Sequence, residues 1–369
     1  MTTLMQASTQ WSSRPDDERF TSLLDLAEHT RLARDNSSSK VLSTRQIEVA
    51  PVANGSAQTG IVVVGPNGAP AAPTHWAFGQ MAQRAGAPAA YLRGLPAPLA
   101  ADCMNYGLKS RDVEDIGVLL RRENGIAQVA AVTGPGYGRV WNSTIADALV
   151  NRFGDGRTGD FKVPGEFGKD VEITKSSTTI YASDRDMFVF LADEKHRIEI
   201  ANRRDGKPGT LARGFFVWNS EVGAQTFGVA TFLFDYVCCN RIVWGAEDVK
   251  EIRIRHTTSA PNRWIEEVAP AIEKYANSSA SSVVAAIEEA RSKKLTGGLA
   301  NENAVMEFLA KRFTKSQAKA IEAAHLADEG RPIETLWDAV VGATAYARGI
   351  GYQDERVQIE REAGKLMAA

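Results

Sequence analysis

The sequence is short of the residues that build disulfides and metal sites. It has three cysteines and five histidines in 369 residues, and Cys238 and Cys239 are adjacent. Adjacent side chains of a strand point to opposite faces, so these two cysteines are expected neither to pair with each other nor to share a metal. No CxxC motif occurs, and no histidine has a second histidine or cysteine at metal-ligand spacing. We therefore predict no disulfide framework, no metal and no cofactor.

Long apolar runs and a large net charge are also absent. No segment reaches the roughly 18 apolar residues that a membrane helix needs, and no basic region followed by an apolar run opens the chain. The formal net charge is −2, so nucleic-acid binding would need a local basic patch. Hydrophobic residues make up 44% of the chain, enough for a substantial core. We expect a soluble, intracellular protein of a reducing compartment with no membrane contact.

Hydrophobic periodicity divides the chain into three parts. Residues 1–45 are rich in Ser, Thr, Asp and Arg and predict an N-terminal arm, docked or partly flexible. Residues 46–260 hold alternating or continuous apolar runs, interrupted at residues 74–110 by short helical segments with Pro or Gly at their ends. Residues 261–369 keep helical spacing. The predicted fold class is α+β, with an antiparallel β-sheet core of about eight strands, a helical insertion at residues 74–110 and an all-helical C-terminal region.

Turn signals place further elements. Asn54-Gly55 and Asn124-Gly125 each predict a hairpin. A glycine-rich turn at residues 134–139 leads into a helix that Asn142 or Ser143 would cap. Backbone amides at such a turn can hold a phosphate. The spacing matches neither of the common phosphate-loop motifs, so an ordinary turn is favoured.

The densest apolar and aromatic content lies in residues 213–256. Residues 214–218 and 228–234 are apolar on both alternating faces, which indicates strands covered on each side. Between them Asn219, Ser220 and Glu221 form a polar turn, either a buried hydrogen-bonded corner or a site. Asn240 is the fourth polar residue of this group.

This stretch ends in a basic strand. Ile252 and Ile254 would face a core, with Arg253 and Arg255 on the opposite face. Cations that track a backbone beside aromatic rings are typical of a platform for single-stranded nucleic acid. The alternative is that the rings are core and the cations form a solvated sheet face. The candidate nucleic-acid-binding residues are Lys195, Arg197, Arg203, Arg204, Arg213, Arg241, Arg253 and Arg255.

No enzyme signature occurs, and no catalytic residue is predicted. Ser220 lies in Asn-Ser-Glu-Val-Gly and not in a strained GxSxG elbow. The one carboxylate and imidazole cluster is expected to solvate two strand ends rather than bind a divalent ion. Its members are Asp184, Asp186, Asp193, Glu194 and His196.

Three stretches carry a family resemblance. They are THWAFGQMAQRAGAPAAYLRGLPAPLAADCMNYGL, NSEVGAQTFGVATFLFDYVCCNRIVWG with its RIRHT, and TLWDAVVGATAYARGIGYQDERVQIEREAGKLM. They resemble the phage- and plasmid-encoded proteins of the domain of unknown function 932 family over residues 74–367. Where those proteins tend to read Cys-Thr-Asn-Gly, this chain has Cys238-Cys239-Asn240-Arg241. The resemblance implies a cytoplasmic role in DNA replication, recombination or defence against the host.

Two functions stay open at this point. The first is a non-enzymatic protein that binds single-stranded DNA in replication or recombination, including strand annealing, and acts as a homo-oligomer. The second is a host-factor-binding or inhibitor protein that acts through a protein interface. An enzyme that uses Ser220, Glu221 or Asn240 in a pocket ranks below both.

Overall fold

The computed structural model describes residues 14–52, 60–123, 125–164, 172–204, 207–235, 240–242, 252–295, 302–350 and 353–367. The strands are β1 Arg19–Phe20, β2 Ser37–Ser43, β3 Glu48–Pro51, β4 Ile61–Val64, β5 Pro70–Pro73, β6 Asp115–Glu123, β7 Ile126–Thr133, β8 Phe161–Lys162, β9 Ile180–Ala182, β10 Met187–Asp193, β11 Ile198–Arg204, β12 Lys207–Asn219, β13 Phe227–Asp235, β14 Asn240–Ile242 and β15 Ile252–Ile254. The helices are α1 Leu23–Asp35, α2 His75–Ala85, α3 Ala89–Gly94, α4 Ala97–Ser110, α5 Asn142–Phe153, α6 Ala260–Arg263, α7 Ala269–Asn277, α8 Ser281–Ser292, α9 Glu302–Leu309, α10 Lys315–Glu329, α11 Leu336–Arg348 and α12 Gln353–Leu366.

The first sheet has the strand order β2-β6-β7-β5-β4-β3. Its pairs are antiparallel except for β5 with β7. The helices α2, α3 and α4 cover one face, because Phe78, Met81 and Met104 pack there on alternate strand residues such as Ile61 and Val118. The predicted helical insertion is therefore the layer that buries this sheet.

The second sheet has the path β1-β9-β10-β12-β13-β14, with β8, β11 and β15 paired to its members. Its central strand β12 is buried on both faces, as its uninterrupted apolar run predicts. Phe215 and Val217 face a core that includes α1, α5 and α7. Phe216 and Trp218 face a separate aromatic cluster on the other side.

The C-terminal region is helical from Ala260 onward in the described residues. A π-helical turn, Trp264–Val268, joins α6 to α7 just before Pro270, where proline removes a backbone donor from the helical ladder. α10 and α11 approach closely because Gly342 has no side chain. A Cβ at that position would lie 3.1 Å from the carbonyl oxygen of Ile321.

The α+β class and the helical C-terminal region are confirmed, but the expectation of one sheet is wrong. The strands divide between two sheets. In the first β2 pairs with β6, and in the second β1 pairs with β9. Residues 14–45, expected in an N-terminal arm, supply α1 and β2, and α1 buries Leu23 and Leu26 in the second sheet's core. The expected cap of α5 is also wrong, since the helix already includes Asn142 and begins after Trp141.

Asp338 fixes the start of α11. It is 2% exposed and accepts hydrogen bonds from the amides of Glu334 and Thr335 and from both terminal nitrogens of Arg331. The ring of His325 lies 3.7 Å away, beyond hydrogen-bond range. Burial alone would raise the pKa of this carboxyl. The adjacent His325 ring, the Arg331 guanidinium and the two amides outweigh burial and hold the pKa well below its usual range.

We expect Asp338→Asn to lower the free energy of unfolding by about 1 to 3 kcal/mol at pH 7, because hydrogen bonds to a charged acceptor are lost. A depressed folded-state pKa stabilises the protein above the unfolded value of about 4, and that contribution is lost as the pH falls below it. The difference between the native protein and the variant should therefore shrink below about pH 4. Urea unfolding at pH 7, 5 and 3.5 measures it, and a constant difference would contradict the role assigned to Asp338.

Candidate functional site

Arg213, a central member of the predicted basic set, is buried. It is 3% exposed and donates to the carbonyl oxygen of Ser278 at 2.8 Å and to Asp193 at 3.3 Å. Its guanidinium carbon lies 5.5 Å from the centre of the Tyr275 ring. Each of these partners stabilises a charge that would otherwise be costly to bury. Arg213 therefore joins β12 to the residues after α7 and is not available to a ligand.

Arg253 lies on the other face of the second sheet. The registers Trp218↔Gly228 and Gly228↔Arg253 place Arg253 on the side of Trp218, and its guanidinium carbon is 5.8 Å from that ring. Arg213 belongs to the opposite face, because it is an odd number of residues from Trp218 on the same strand. Arg255 is exposed beyond the end of β15. The expectation that Arg213, Arg253 and Arg255 share one exposed face is therefore wrong.

The predicted stacking rings are also buried. Phe215, Phe216 and Trp218 are 1%, 2% and 5% exposed, and each contacts other aromatic rings of the core. The interpretation of these rings as a platform for bases is wrong, and the alternative, that they are core, is what the structure shows. Tyr236 lies outside the described residues.

The remaining predicted cations do not form one surface. Lys195 is exposed at a polar cleft of about 540 Å³ whose other lining residues are Thr158, Gly159, Asp160, Lys162 and Glu194. Arg197 donates to the carbonyl oxygen of Glu194 at 2.9 Å, and Lys162 lies 3.0 Å from the Glu194 carboxylate. Cations and carboxylates thus alternate around the cleft. The side chains of Arg203, Arg204, Asn240 and Arg241 lie outside the described part of the chain.

Two members of the carboxylate and imidazole cluster, Asp193 and Asp186, are hydrogen-bonded to other groups of the protein. Asp193 is fully buried and accepts from the amides of Lys195 and His196 as well as from Arg213. Asp186 is bonded to Arg14 and Ser183. Within the described residues, no group of three or more His, Cys, Asp or Glu side chains is placed to hold a metal ion. Nor do any of the described helices combine the length and hydropathy that crossing a bilayer requires.

The polar turn after β12 is a buried, hydrogen-bonded corner. Asn219 and Ser220 are fully buried. The Asn219 amide donates to the carbonyl oxygen of Val140 at 2.8 Å and to the side chain of Asn142 at 2.7 Å. The Ser220 hydroxyl donates to the carbonyl oxygen of Arg185 at 2.7 Å. Its proton is therefore engaged by a carbonyl and not by a base, so the arrangement of a serine nucleophile is not present.

Glu221 connects this corner to the first sheet. Its carboxylate, 4% exposed, accepts from Arg121 of β6 at 2.5 Å and from the backbone amide of Asn142 at 2.8 Å. The second contact caps the first turn of α5, where a negative charge is favourable. The Glu221 carbonyl oxygen accepts from Nε of Arg139 at 2.7 Å. One residue thus fixes two arginines and the start of a helix.

These contacts create a basic surface that the sequence pattern did not predict. We call it the Arg34–Trp141 surface and define it as Arg34, Arg121, Arg139 and Trp141. The guanidinium carbons of Arg34 and Arg139 lie 5.6 Å and 5.5 Å from the Trp141 ring. Arg34 is exposed and Trp141 is half-buried. Exposed hydroxyl groups border the surface, since Arg139 donates to Ser39 at 3.0 Å.

The surface keeps a net positive charge. Among the described residues, one carboxylate is hydrogen-bonded to an arginine of the surface, that of Glu221 to Arg121. Burial lowers the pKa of Arg139, an effect that Tyr137 and Glu221 oppose and Arg121 reinforces. A guanidinium remains charged through such a change. The contacts described for the surface therefore include three guanidinium groups and one bonded carboxylate.

One sequence signal could have identified this surface. Arg139-Val140-Trp141 places a cation and an aromatic ring two residues apart in extended backbone, so that both can point to one side. The contributions of Arg34 and Arg121 come from distant segments and are visible only in the fold.

We expect Glu221→Gln to lower the free energy of unfolding by about 3 kcal/mol, because it leaves the mostly buried Arg121 guanidinium without its carboxylate. Glu123→Gln is the matched control. It removes an exposed carboxylate from β6, the strand that carries Arg121, and should change stability by less than about 0.5 kcal/mol. Equal effects of the two substitutions in urea unfolding would show that Glu221 does not hold the corner.

A family model described as a domain of unknown function (DUF932) matches residues 169–362, more than half of the sequence. No curated protein and no solved structure matches the chain. The matched segment contains β10 to β15 and most of the helical C-terminal region, together with the buried Asn219-Ser220-Glu221 corner. The chain belongs to the DUF932 family.

Proposed function

We propose that the protein binds single-stranded nucleic acid through the Arg34–Trp141 surface. The observation that supports this is the position of two guanidinium groups, Arg34 and Arg139, within 5.6 Å of one half-exposed indole ring. Phosphates bind guanidinium groups, and bases stack on rings and on guanidinium planes. Single-stranded nucleic acid is also the ligand that the sequence predicted, but the residues proposed to bind it differ from the predicted set.

Charge supports the proposal first. Among the described residues, the carboxylate bonded to an arginine of this surface is that of Glu221, which accepts from Arg121 and from the amide of Asn142. Its negative charge is thus partly offset by the positive end of the α5 dipole. Arg34 and Arg139 have no carboxylate partner among the described residues. Their charge is available to phosphate, and binding should weaken as salt rises.

The geometry further favours a single strand over a duplex. An indole ring can stack only on a base whose face is free, and the face of a paired base is covered by its neighbours. The other groups at the surface are guanidinium nitrogens and the hydroxyl of Ser39, which suit phosphate oxygens. Such contacts select for a flexible backbone and not for a sequence.

We further propose a non-enzymatic role in DNA replication or recombination, including strand annealing, in the cytoplasm of a cell that carries a phage or plasmid. The resemblance of the sequence to phage- and plasmid-encoded proteins supports this setting. The internal hydrogen bond of Ser220 to a carbonyl supports a binding role over a catalytic one.

The test is fluorescence anisotropy of a labelled oligothymidine strand across a salt series. We expect Arg34→Glu to weaken binding by about tenfold and to reduce the slope of log affinity against log salt by about 0.7, the contribution of one phosphate contact on a single strand. Trp141→Phe should weaken binding with little change in slope, because it reduces stacking and leaves charge unaltered.

Lys319→Glu is the control, since it makes the same charge change at an exposed cation of α10, in the helical C-terminal region. It should leave binding within about twofold of the native protein. Equal losses in Arg34→Glu and Lys319→Glu would mean that the attraction is a general effect of charge and does not come from the Arg34–Trp141 surface. Absence of binding by the native protein at low salt would refute the proposal.

A second candidate function, binding of a host protein, is favoured by a different surface. Leu99 and Tyr106 of α4 are 49% and 76% exposed. They are seven residues apart, so they lie on one face of the helix. Exposed tyrosine and leucine at helical spacing are typical anchors for a partner's groove.

The second candidate predicts a partner that is retained from nuclease-treated host lysate and lost with Tyr106→Lys. Arg34→Glu should not affect that partner. Loss of the same partner on nuclease treatment alone would contradict this function, because nucleic acid would then be the link.

A further inference from the structure

Among the described residues, the strand β2, Ser37–Ser43, is an edge of the first sheet with one side unpaired. It stands at one end of the strand order and, in the described part of the chain, pairs with β6 alone. Residues 38–41 are exposed, and Val41 is 59% exposed although valine is apolar. The free side of such a strand presents unpaired backbone donors and acceptors to another extended chain.

The other described ends of the two sheet paths are protected or too short to pair. At the opposite end of the same sheet, β3 has four residues, ends at Pro51 and carries the exposed Glu48. In the second sheet β1 has two residues and β14 has three. Proline, charge and short length are the usual means of preventing edge pairing. The strand β2 is longer, with seven residues. It has no proline, and its one charged side chain is Lys40.

We propose that β2 pairs antiparallel with β2 of a second copy of this chain, about a two-fold axis at Val41. The axis then places the two exposed valines side by side, Lys40 opposite Leu42 of the other copy, and Ser39 opposite Ser43. This register removes apolar surface from water and sets each lysine stem against a leucine. An isologous contact of this kind closes after two copies.

Charge selects this register over its neighbours. An axis at Lys40 would place two ammonium groups directly opposite each other, which is unfavourable. An axis at Ser39 would bring together the two Arg139 guanidinium groups, because each donates to Ser39. With the axis at Val41, the two Ser39 residues are separated by about 14 Å along the strands. That is more than the screening length of about 8 to 10 Å at physiological salt.

The pairing would also extend the basic surface. A two-fold axis perpendicular to a sheet keeps the same face of both copies on the same side. The two Arg34–Trp141 surfaces would therefore lie on one face of a continuous sheet of twelve strands, twice the six of one copy. One nucleic-acid strand could contact both. The pairing itself rests on the sheet edge and does not depend on nucleic-acid binding.

Sedimentation equilibrium without nucleic acid tests the pairing at protein concentrations up to about 1 mM. We expect a reversible dimer in the native protein, retained by Val41→Ile. Val41→Lys should weaken it by about tenfold or more, because it places like charges opposite each other at the axis. Ile126→Lys is the matched control, since Ile126 is 62% exposed on β7 of the same sheet and should leave the dimer unchanged.

Covalent trapping gives a second measurement that does not rely on a weak equilibrium. Val41→Cys should form a disulfide-linked dimer under mild oxidation, above the background of the native cysteines, whereas Ile126→Cys should not. A native protein that remains monomeric, equal losses from the two lysine substitutions, or equal crosslinking of the two cysteine variants would each overturn the pairing. A monomer that still binds oligothymidine would overturn the pairing alone.

Discussion

The carboxylate of Glu221 is the contact on which the arrangement of the two sheets depends. Glu221 follows β12 of the second sheet, but its carboxylate accepts hydrogen bonds from Arg121 of the first sheet and from the backbone amide of Asn142, the first residue of α5. Removing a carboxylate from water is costly unless charged and dipolar partners replace the solvent. Glu221 has both, so the corner is stable only when all three elements are in place. The position of Arg139, which donates to the Glu221 carbonyl, follows from the same corner.

A second buried ion pair plays the corresponding part between β12 and the C-terminal region. Arg213 contacts Asp193 on the neighbouring strand and Ser278 after α7, and Tyr275 of that helix donates to the carbonyl oxygen of Gly214. The two faces of β12 therefore differ in chemistry. One face carries the buried cation and packs on helices, while the other carries Phe216 and Trp218 in an aromatic cluster. The Arg213–Asp193 pair and the aromatic cluster both lie within the DUF932 match, whereas Arg34, Arg121 and Trp141 lie outside it.

Local patterns predicted the elements well and their assembly poorly. Alternation gave the correct faces within β15, since Ile254 is buried and Arg253 is exposed. Alternation does not show that Arg253 lies on the same face of the sheet as Trp218, because that depends on the pairing of β15 with β13. The cap of α5 shows the same limit. Asparagine is a common N-cap residue, but the carboxylate that caps this helix belongs to Glu221, 79 residues away in the chain.

Net charge is a poor guide to the charge of any one surface for a related physical reason. Several carboxylates of this chain pair with arginines that are buried or mostly buried, as in Asp193 with Arg213, Asp186 with Arg14 and Glu221 with Arg121. Each such pair adds nothing to the net charge and little to the surface potential. The field that a ligand meets is set by the exposed cations that lack such a partner, and Arg34 is one of them. A chain with a formal charge of −2 can therefore present a cationic surface, and the partners of each arginine decide where that surface lies.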